Sequence, residues 1–186
     1  FARILPEFAN PPGAMVSANE ADLVDAVMVE WWCSSDGNAD EWDDMWMAII
    51  GSSVNNGAHA YVYLHSYYGH DDQTTLETCS TMLKDSEGVV PTDVSWIQGV
   101  PSDSFWIRDF GPLFVREANS LALSIEDPQY YPGRDYDDDQ PAEFASRLGI
   151  PHSQFSLNFE GGNFLPNGTG ICLISDVVLG MNPQYN

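Results

Sequence analysis

Residues 103–112 read DSFWIRDFGP, and this stretch carries the first chemical clue. Arg108 and Asp109 fall between Trp106 and Phe110. Charges seldom sit among aromatic residues for packing alone, and an uncompensated buried charge is costly. The plain structural reading is a mutual ion pair. Read as a strand, however, the segment points neighbouring side chains to opposite faces, so Arg108 and Asp109 do not satisfy each other. One of them then faces a cavity. A carboxylate beside a Trp suits a guanidinium group, which gains two parallel hydrogen bonds and an aromatic face.

Downstream, residues 158–170 read NFEGGNFLPNGTG. Gly161 and Gly162 permit unusual dihedrals and close backbone approach. A turn is the ordinary explanation for paired glycines. The position of Glu160 after an apolar stretch and before a strand makes it a candidate second carboxylate.

The elements around these stretches alternate. Residues 26–32 (AVMVEWW) and 58–65 (AHAYVYLH) read as strands. Between them Trp42, Met45, Trp46, Ile49 and Ile50 recur at helical spacing, a stripe expected in the core, with a stop near residues 55–57. Asp36-Gly37-Asn38 marks a turn. Thr74 and Glu77 form a capping-box pattern opening a second helix. Residues 94–97, 113–115 and 121–125 are short strand candidates. Residues 141–148 suit a short helix with Ala142, Ala145 and Leu148 inward, and residues 171–175 and 177–181 read as strands. The acidic run DYDDD at 135–139 reads as a loop. The order is that of an α/β chain with short elements.

Lys and Arg total 6 against 28 Asp and Glu, a formal charge of −22 over 186 residues. Such a surface repels nucleic-acid phosphates and attracts cations, including metal ions, basic peptides and guanidinium compounds. A solvated acidic surface from a salty habitat is the plainer reading and is compatible with the first. No apolar run reaches the length of a membrane span. Cys33, Cys79 and Cys172 form no CxxC pair, which argues against zinc. Spacing leaves a Cys33–Cys79 disulfide open. Cys172, inside the apolar stretch ICLIS, reads as a buried, inert thiol. His59, His65 and His152 read as surface or strand residues. A first residue of Phe rather than Met fits a secreted or periplasmic protein after signal removal, and equally a trimmed sequence. Asn167-Gly168-Thr169 is a formal sequon of little weight.

Together the two stretches resemble one family. Trp106-Ile107-Arg108-Asp109-Phe110-Gly111-Pro112 matches W-x-R-D-x-G-P, and Glu160-Gly161-Gly162-Asn163 matches [DE]-G-G-N. Asn182-Pro183 matches an Asn-Pro after the next strand, and Leu5-Pro6-Glu7-Phe8 is similar to a Pro-x-Glu opening. The family is that of porphyromonas-type peptidylarginine deiminases and agmatine deiminases. The resemblance implies a pentein fold, an α/β propeller of five ββαβ units of which this chain forms roughly the first two to three, as the N-terminal part of one catalytic domain over residues 1–186. It further implies Asp109 as guanidinium clamp and Trp106 as channel wall. Glu160 would be a second acidic group or general base, with Gly161, Gly162 and Asn163 shaping the loop.

The family's His-x-Asp and nucleophilic Cys lie beyond the Asn-Pro strand, and neither is matched here. His70-Asp71-Asp72 fits His-x-Asp literally but precedes WIRD. The chain alone is therefore expected to be inactive, with a second chain of the same precursor, cut after Asn186, supplying His and Cys. The implied chemistry hydrolyses a guanidino group through a Cys-bound amidino intermediate and needs no metal, although the DYDDD loop offers oxygen ligands for calcium. Agmatine-type members carry a Trp-Gly-Gly-like segment where this chain has Tyr130-Tyr131-Pro132-Gly133-Arg134-Asp135, which looks more like the peptidylarginine type. Arg134 either grips the carboxylate of an arginine-ended peptide or pairs with Asp135, Asp137 or Asp138. Pro132 stands where that type usually has a first arginine. Competing readings are an agmatine deiminase-type hydrolase, a non-catalytic binder of arginine or basic peptides, a calcium-tuned acidic domain, and an amidinotransferase on the same scaffold.

Overall fold

A computed structural model describes residues 15–17 (backbone), 24–34, 39–66, 73–117, 120, 122–167 and 171–185. The turn expected at Asp36-Gly37-Asn38, the His70-Asp71-Asp72 triplet, the opening Leu5-Pro6-Glu7-Phe8 and most of the sequon lie outside these residues. The chain divides into two compact units, one formed by Leu23–Pro101 and the other by Phe1–Asp22 with Ser102–Asn186.

The middle unit is a parallel three-stranded sheet with helical crossovers. Its strands β2 (Ala26–Cys33), β3 (His59–Ser66) and β4 (Val94–Ile97) are adjacent in that order, separated along the chain by α1 (Glu41–Asn55) and α2 (Gln73–Glu87). Alternation sends Val29, Trp31, Val62 and Leu64 into one core with Ile50 of α1 and Leu83 of α2. Asp40 caps α1, accepting from the Trp42 and Asp43 backbone N–H groups at 2.8 and 2.9 Å. The buried Asp43 accepts the Trp31 indole N–H at 2.6 Å, which pairs a core carboxylate with a donor. A disulfide joins Cys33 at the end of β2 to Cys79 of α2.

Two expectations for this unit need correction. The apolar stripe of α1 is not all core: Ile50 is buried and Trp46 half-buried, but Trp42, Met45 and Ile49 are exposed. The helix buries the side carrying Asp43, Met47 and Ile50, one step round from the stripe read in the sequence. Thr74 does not precede α2 as a cap; it is the helix's second residue, and Gln73 bonds Glu77 instead at 3.1 Å.

The other unit is a four-stranded sheet ordered β1 (Met15–Ser17), β5 (Leu113–Glu117), β6 (Leu123–Gln129) and β7 (His152–Asn158). Strands β5 and β6 are antiparallel, and α4 (Asp135–Leu148) then crosses over to β7, parallel to β6. This is one complete ββαβ run. The register of β7 slips at Pro128, which lacks the N–H a regular ladder needs. A one-turn helix α3 (Ile107–Phe110) precedes β5, and a hairpin of β8 (Phe164–Pro166) and β9 (Cys172–Ile174) is followed by α5 (Val177–Met181). Phe114 packs edge-on against Phe144 of α4, so Leu113 and Val115 face the other way.

Several local expectations fail here for physical reasons. Residues 107–110 are helical, not extended. Residues 135–139 are not a loop but the opening of α4, which starts six residues before the helix expected at Pro141. Asp103 acts as its cap from outside, accepting the Tyr136 and Asp137 backbone N–H groups at 3.0 and 3.4 Å. The acidic side chains of the first turn suit the positive end of the helix. Ala145 faces inward as expected, whereas Leu148 is exposed. Residues 177–181 form a helix despite their valines, because Val178 is drawn into the core and the turn's carbonyl is bonded by Asn182. Cys172 is free and exposed rather than buried.

Candidate functional site

Asp109 and Glu160 are brought together in one corner of the ββαβ unit. α3 is a single turn in which the Asp109 and Phe110 backbone N–H groups donate to the Trp106 carbonyl, at 2.8 and 3.4 Å. Successive side chains therefore diverge around a helix. Asp109 remains half-buried while Arg108 reaches outward, its Nη2 3.5 Å from the Phe164 carbonyl oxygen. The turn ends at Gly111, whose φ of 99° favours glycine, followed by a cis peptide to Pro112.

The paired glycines have a specific steric purpose. Residues Gly161–Asn163 form a 3-10 turn lying directly on α3. A Cβ at Gly161 would collide with the Arg108 carbonyl oxygen, and one at Gly162 would stand 2.6 Å from Asp109 Oδ1. Without side chains, the turn leaves the Asp109 carboxylate room beside Gly162. Glu160, just before the turn, accepts from the Tyr131 hydroxyl on Oε1 and from Asn163 Nδ2 on Oε2, the latter at 2.6 Å.

Electrostatics mark this corner. Burial and then the neighbouring Glu160 raise the Asp109 pKa above the usual carboxylate range, against the Gly162 N–H and Arg108. Burial, and then Asp109, pushes the Tyr130 phenol up to about 12. The bond to Glu160 does the same for Tyr131, to about 12. Two carboxylates held close, ringed by phenols, form a site that a cation would relieve. Trp106 is 50% exposed, its ring 4.6 Å from that of Phe105.

Arg134 pairs with the buried Asp137 at 2.6 Å and lies over the Tyr130 ring at 5.8 Å, the pairing that its sequence position left open. Asp137 in turn accepts the backbone N–H of Asp103 at 2.8 Å and the N–H and hydroxyl of Ser104 at 3.1 and 2.9 Å. With Asp103 bonded back to α4, these two aspartates clamp the loop leading into α3. The acidic run thus helps hold the loop that leads into the site. Among the described residues no group of three or more His, Cys, Asp or Glu side chains is placed to hold a metal ion.

Asn182, matched in the sequence only as part of an Asn-Pro pair, supports this corner. Asn182 is buried and accepts the Asn158 N–H at 2.8 Å while donating to the Asn158 and Val178 carbonyls at 2.7 Å each. It fixes the backbone two residues before Glu160. A buried Asn before a Pro was the available signal, though sequence alone does not name its partner.

Beyond this corner, an apolar groove of about 520 Å³ is lined by Leu113, Val115, Phe155, Leu157, Phe159 and Phe164, among others. Neither Asp109 nor Glu160 lines it. It is an open hydrophobic face and offers no carboxylate pair to a guanidinium.

Known proteins can now be set beside this geometry. A family model described as Porphyromonas-type peptidyl-arginine deiminase matches residues 17–186. No curated protein matches the chain. Among solved structures, the agmatine deiminase of Enterococcus faecalis is similar with a TM-score of 0.68 at 18% identity, over 92% of this chain and 47% of that one. A C. jejuni agmatine deiminase is similar with a TM-score of 0.65 at 18% identity, over 90% of this chain and 48% of that one. At such identity the likeness speaks to the fold, which is of the pentein type, and the chain spans about half the length of these structures.

Proposed function

The chain belongs to the Porphyromonas-type peptidyl-arginine deiminase family, and on that footing we propose that it supplies the guanidinium-binding carboxylates of a hydrolase that deiminates a guanidino group. The observation carrying this reading is the Asp109–Glu160 pair, with Gly162 pressed against Asp109 by a lack of side chain. A planar guanidinium presents paired N–H donors to carboxylates, and its charge offsets both the burial and the Glu160 repulsion that raise Asp109. In this proposal Asp109 clamps the substrate, Trp106 walls the alkyl stem, Gly161, Gly162 and Asn163 form the rim, and Glu160 binds a second nitrogen edge or serves as base.

The covalent part falls to residues outside this chain. A Cys thiolate attacks the guanidinium carbon, forming a C–S bond. A His delivers a proton as the C–N bond breaks, and ammonia leaves an amidino-thioether. Water, deprotonated by the same His, adds to that carbon, and the C–S bond breaks to give the ureido product and the thiolate. No metal takes part. The His and Cys come from outside these 186 residues, in sequence that completes the propeller begun by the ββαβ unit. The open apolar groove and the exposed Leu173 and Ile174 support such docking.

The Arg134–Asp137 pair weighs against Arg134 gripping a free carboxylate. Arginine within a peptide, or a small guanidine such as agmatine, fits better than an arginine-ended peptide, and the charge of −22 favours cations. The Cys33–Cys79 disulfide supports a secreted or periplasmic location.

Calorimetry tests the binding half of the proposal directly. Agmatine or a peptide amide containing arginine should bind, and Asp109→Ala should weaken binding by at least about 10-fold, as expected for a lost charge-assisted pair. Equal binding by the variant sinks the assignment. For the catalytic half, mass spectrometry of the native protein should reveal further sequence carrying His-x-Asp and Cys, on the same or a second polypeptide. A native protein with neither would count against it.

A further inference from the structure

We propose that Tyr131 is a positioning residue of this site: with Asn163 it fixes the Glu160 carboxylate in one orientation beside Asp109. The inference rests on the guanidinium reading above and extends it to a residue that no pattern in the sequence assigns.

Three observations carry it. First, each Glu160 oxygen has its own neutral donor, the Tyr131 hydroxyl on Oε1 and the Asn163 amide on Oε2. One lone-pair direction of each oxygen is filled, leaving others for the N–H groups of a guanidinium. Second, the Tyr131 ring is 38% exposed, so core packing does not explain it. Its ring instead leans on Tyr130 at 4.8 Å, and Tyr130 stands edge-on to Phe110 at 6.0 Å, the residue after Asp109. Aromatic contacts thus run from the residue beside one carboxylate to the donor on the other. Third, the backbone is held just ahead of both residues: the Phe159 N–H donates to the Gln129 carbonyl at 3.0 Å, joining the two segments, and the Tyr130 N–H donates to Asp138 of α4 at 2.5 Å. The hydroxyl therefore sits on a fixed backbone rather than a passing loop.

The charged and titratable groups around the pair are Asp109 and Arg108 on the α3 turn, Tyr130 beside Tyr131, and Arg134 and Asp137 at the start of α4. Loss of the Tyr131 hydroxyl leaves one Glu160 oxygen without its donor and should therefore weaken guanidinium binding. A residue of merely structural importance would lower affinity whether or not Glu160 keeps its carboxylate.

The experiment is agmatine calorimetry across pH on four proteins: wild type, Tyr131→Phe, Glu160→Gln and the double variant. Tyr131→Phe keeps the ring, so folding is retained, and affinity should fall about 5- to 10-fold, the value of one such bond. In the Glu160→Gln background the same change should cost nothing further. An unchanged affinity in Tyr131→Phe, or a loss that persists without Glu160, overturns the proposal. If wild type binds no guanidine at any pH, the site reading itself fails. The Asn163 side-chain amide resonance then decides separately, since it reports the other Glu160 oxygen: it moves in Tyr131→Phe if Tyr131 positions Glu160 and stays in place if it does not.

Discussion

A Cβ on Gly162 would stand 2.6 Å from Asp109 Oδ1, so only the lack of a side chain there leaves room for the Asp109 carboxylate. The EGGN block and the WIRD turn are therefore two halves of one contact. Each is short because the other must approach it.

Gly162→Ala should separate binding from stability. Gly162 is exposed, and its φ lies outside the left-handed region, so alanine suits the backbone. The Cβ displaces the Asp109 carboxylate, which is the end of a side chain and can swing away. Agmatine affinity should drop by at least about 10-fold, with the melting temperature shifting by less than about 3 °C. Gly161→Ala differs because its Cβ meets the Arg108 carbonyl, which is backbone. That variant should lose about 1–3 kcal/mol of stability as well, by overpacking. Calorimetry and thermal melting of both variants check the contrast.

Asn182→Ala should damage the same site from behind. It removes three hydrogen bonds and leaves the half-buried Asn158 backbone groups without their partner. The expected cost is about 1–3 kcal/mol per stranded group. Urea unfolding reads the loss, and faster amide exchange at Asn158 and Phe159 locates it. Unaltered exchange there would show that Asn182 does not hold this strand end.

The residues that meet in this corner were more legible in the sequence than the elements that carry them. Asp109, Glu160 and the glycine pair stood out because charges among aromatics and paired glycines are costly without a reason. The strands of the parallel sheet and the span of α1 followed from periodicity. Residues 135–139 did not read as helix, because the cap that satisfies their N–H groups is Asp103, distant in sequence. Residues 177–181 read as strand because valine propensity says so, and only tertiary packing of Val178 reverses it. The role of Asp137, bonded at once to Ser104, Asp103 and Arg134, belongs to the same class of long-range partnership. Local pattern reports what a residue needs and leaves its partner unnamed.

Breaking the Cys33–Cys79 disulfide should weaken the parallel-sheet unit. The bond closes a sequence separation of 46 residues, for which loop-closure entropy gives about 4 kcal/mol. The paired Cys33→Ala and Cys79→Ala variant, or reduction of the wild type, should lower the urea midpoint. Both residues are fully buried, so reduction by a mild thiol should be slow in the folded state. An unchanged midpoint would remove the disulfide from the protein's stability and weaken the case for an oxidising compartment.

Asp127 should give stability a pH dependence of unusual sign. It is buried on β6, with Oδ2 2.8 Å from His152 Nε2. Burial raises its pKa to about 6; His152 opposes the rise, while Asp138 and Asp139 add to it. In the unfolded chain an aspartate titrates near about 3.9. Between those values the folded state holds the proton more tightly, so stability falls as pH climbs through the window and levels off above about 6. Most paired carboxylates do the opposite. Asp127→Asn keeps an oxygen for the His152 N–H and removes the ionisation. The variant should gain on the wild type as pH rises from about 4 to about 7. Urea unfolding across that range checks it. Parallel profiles would show that Asp127 enters the folded state as freely charged as it leaves it.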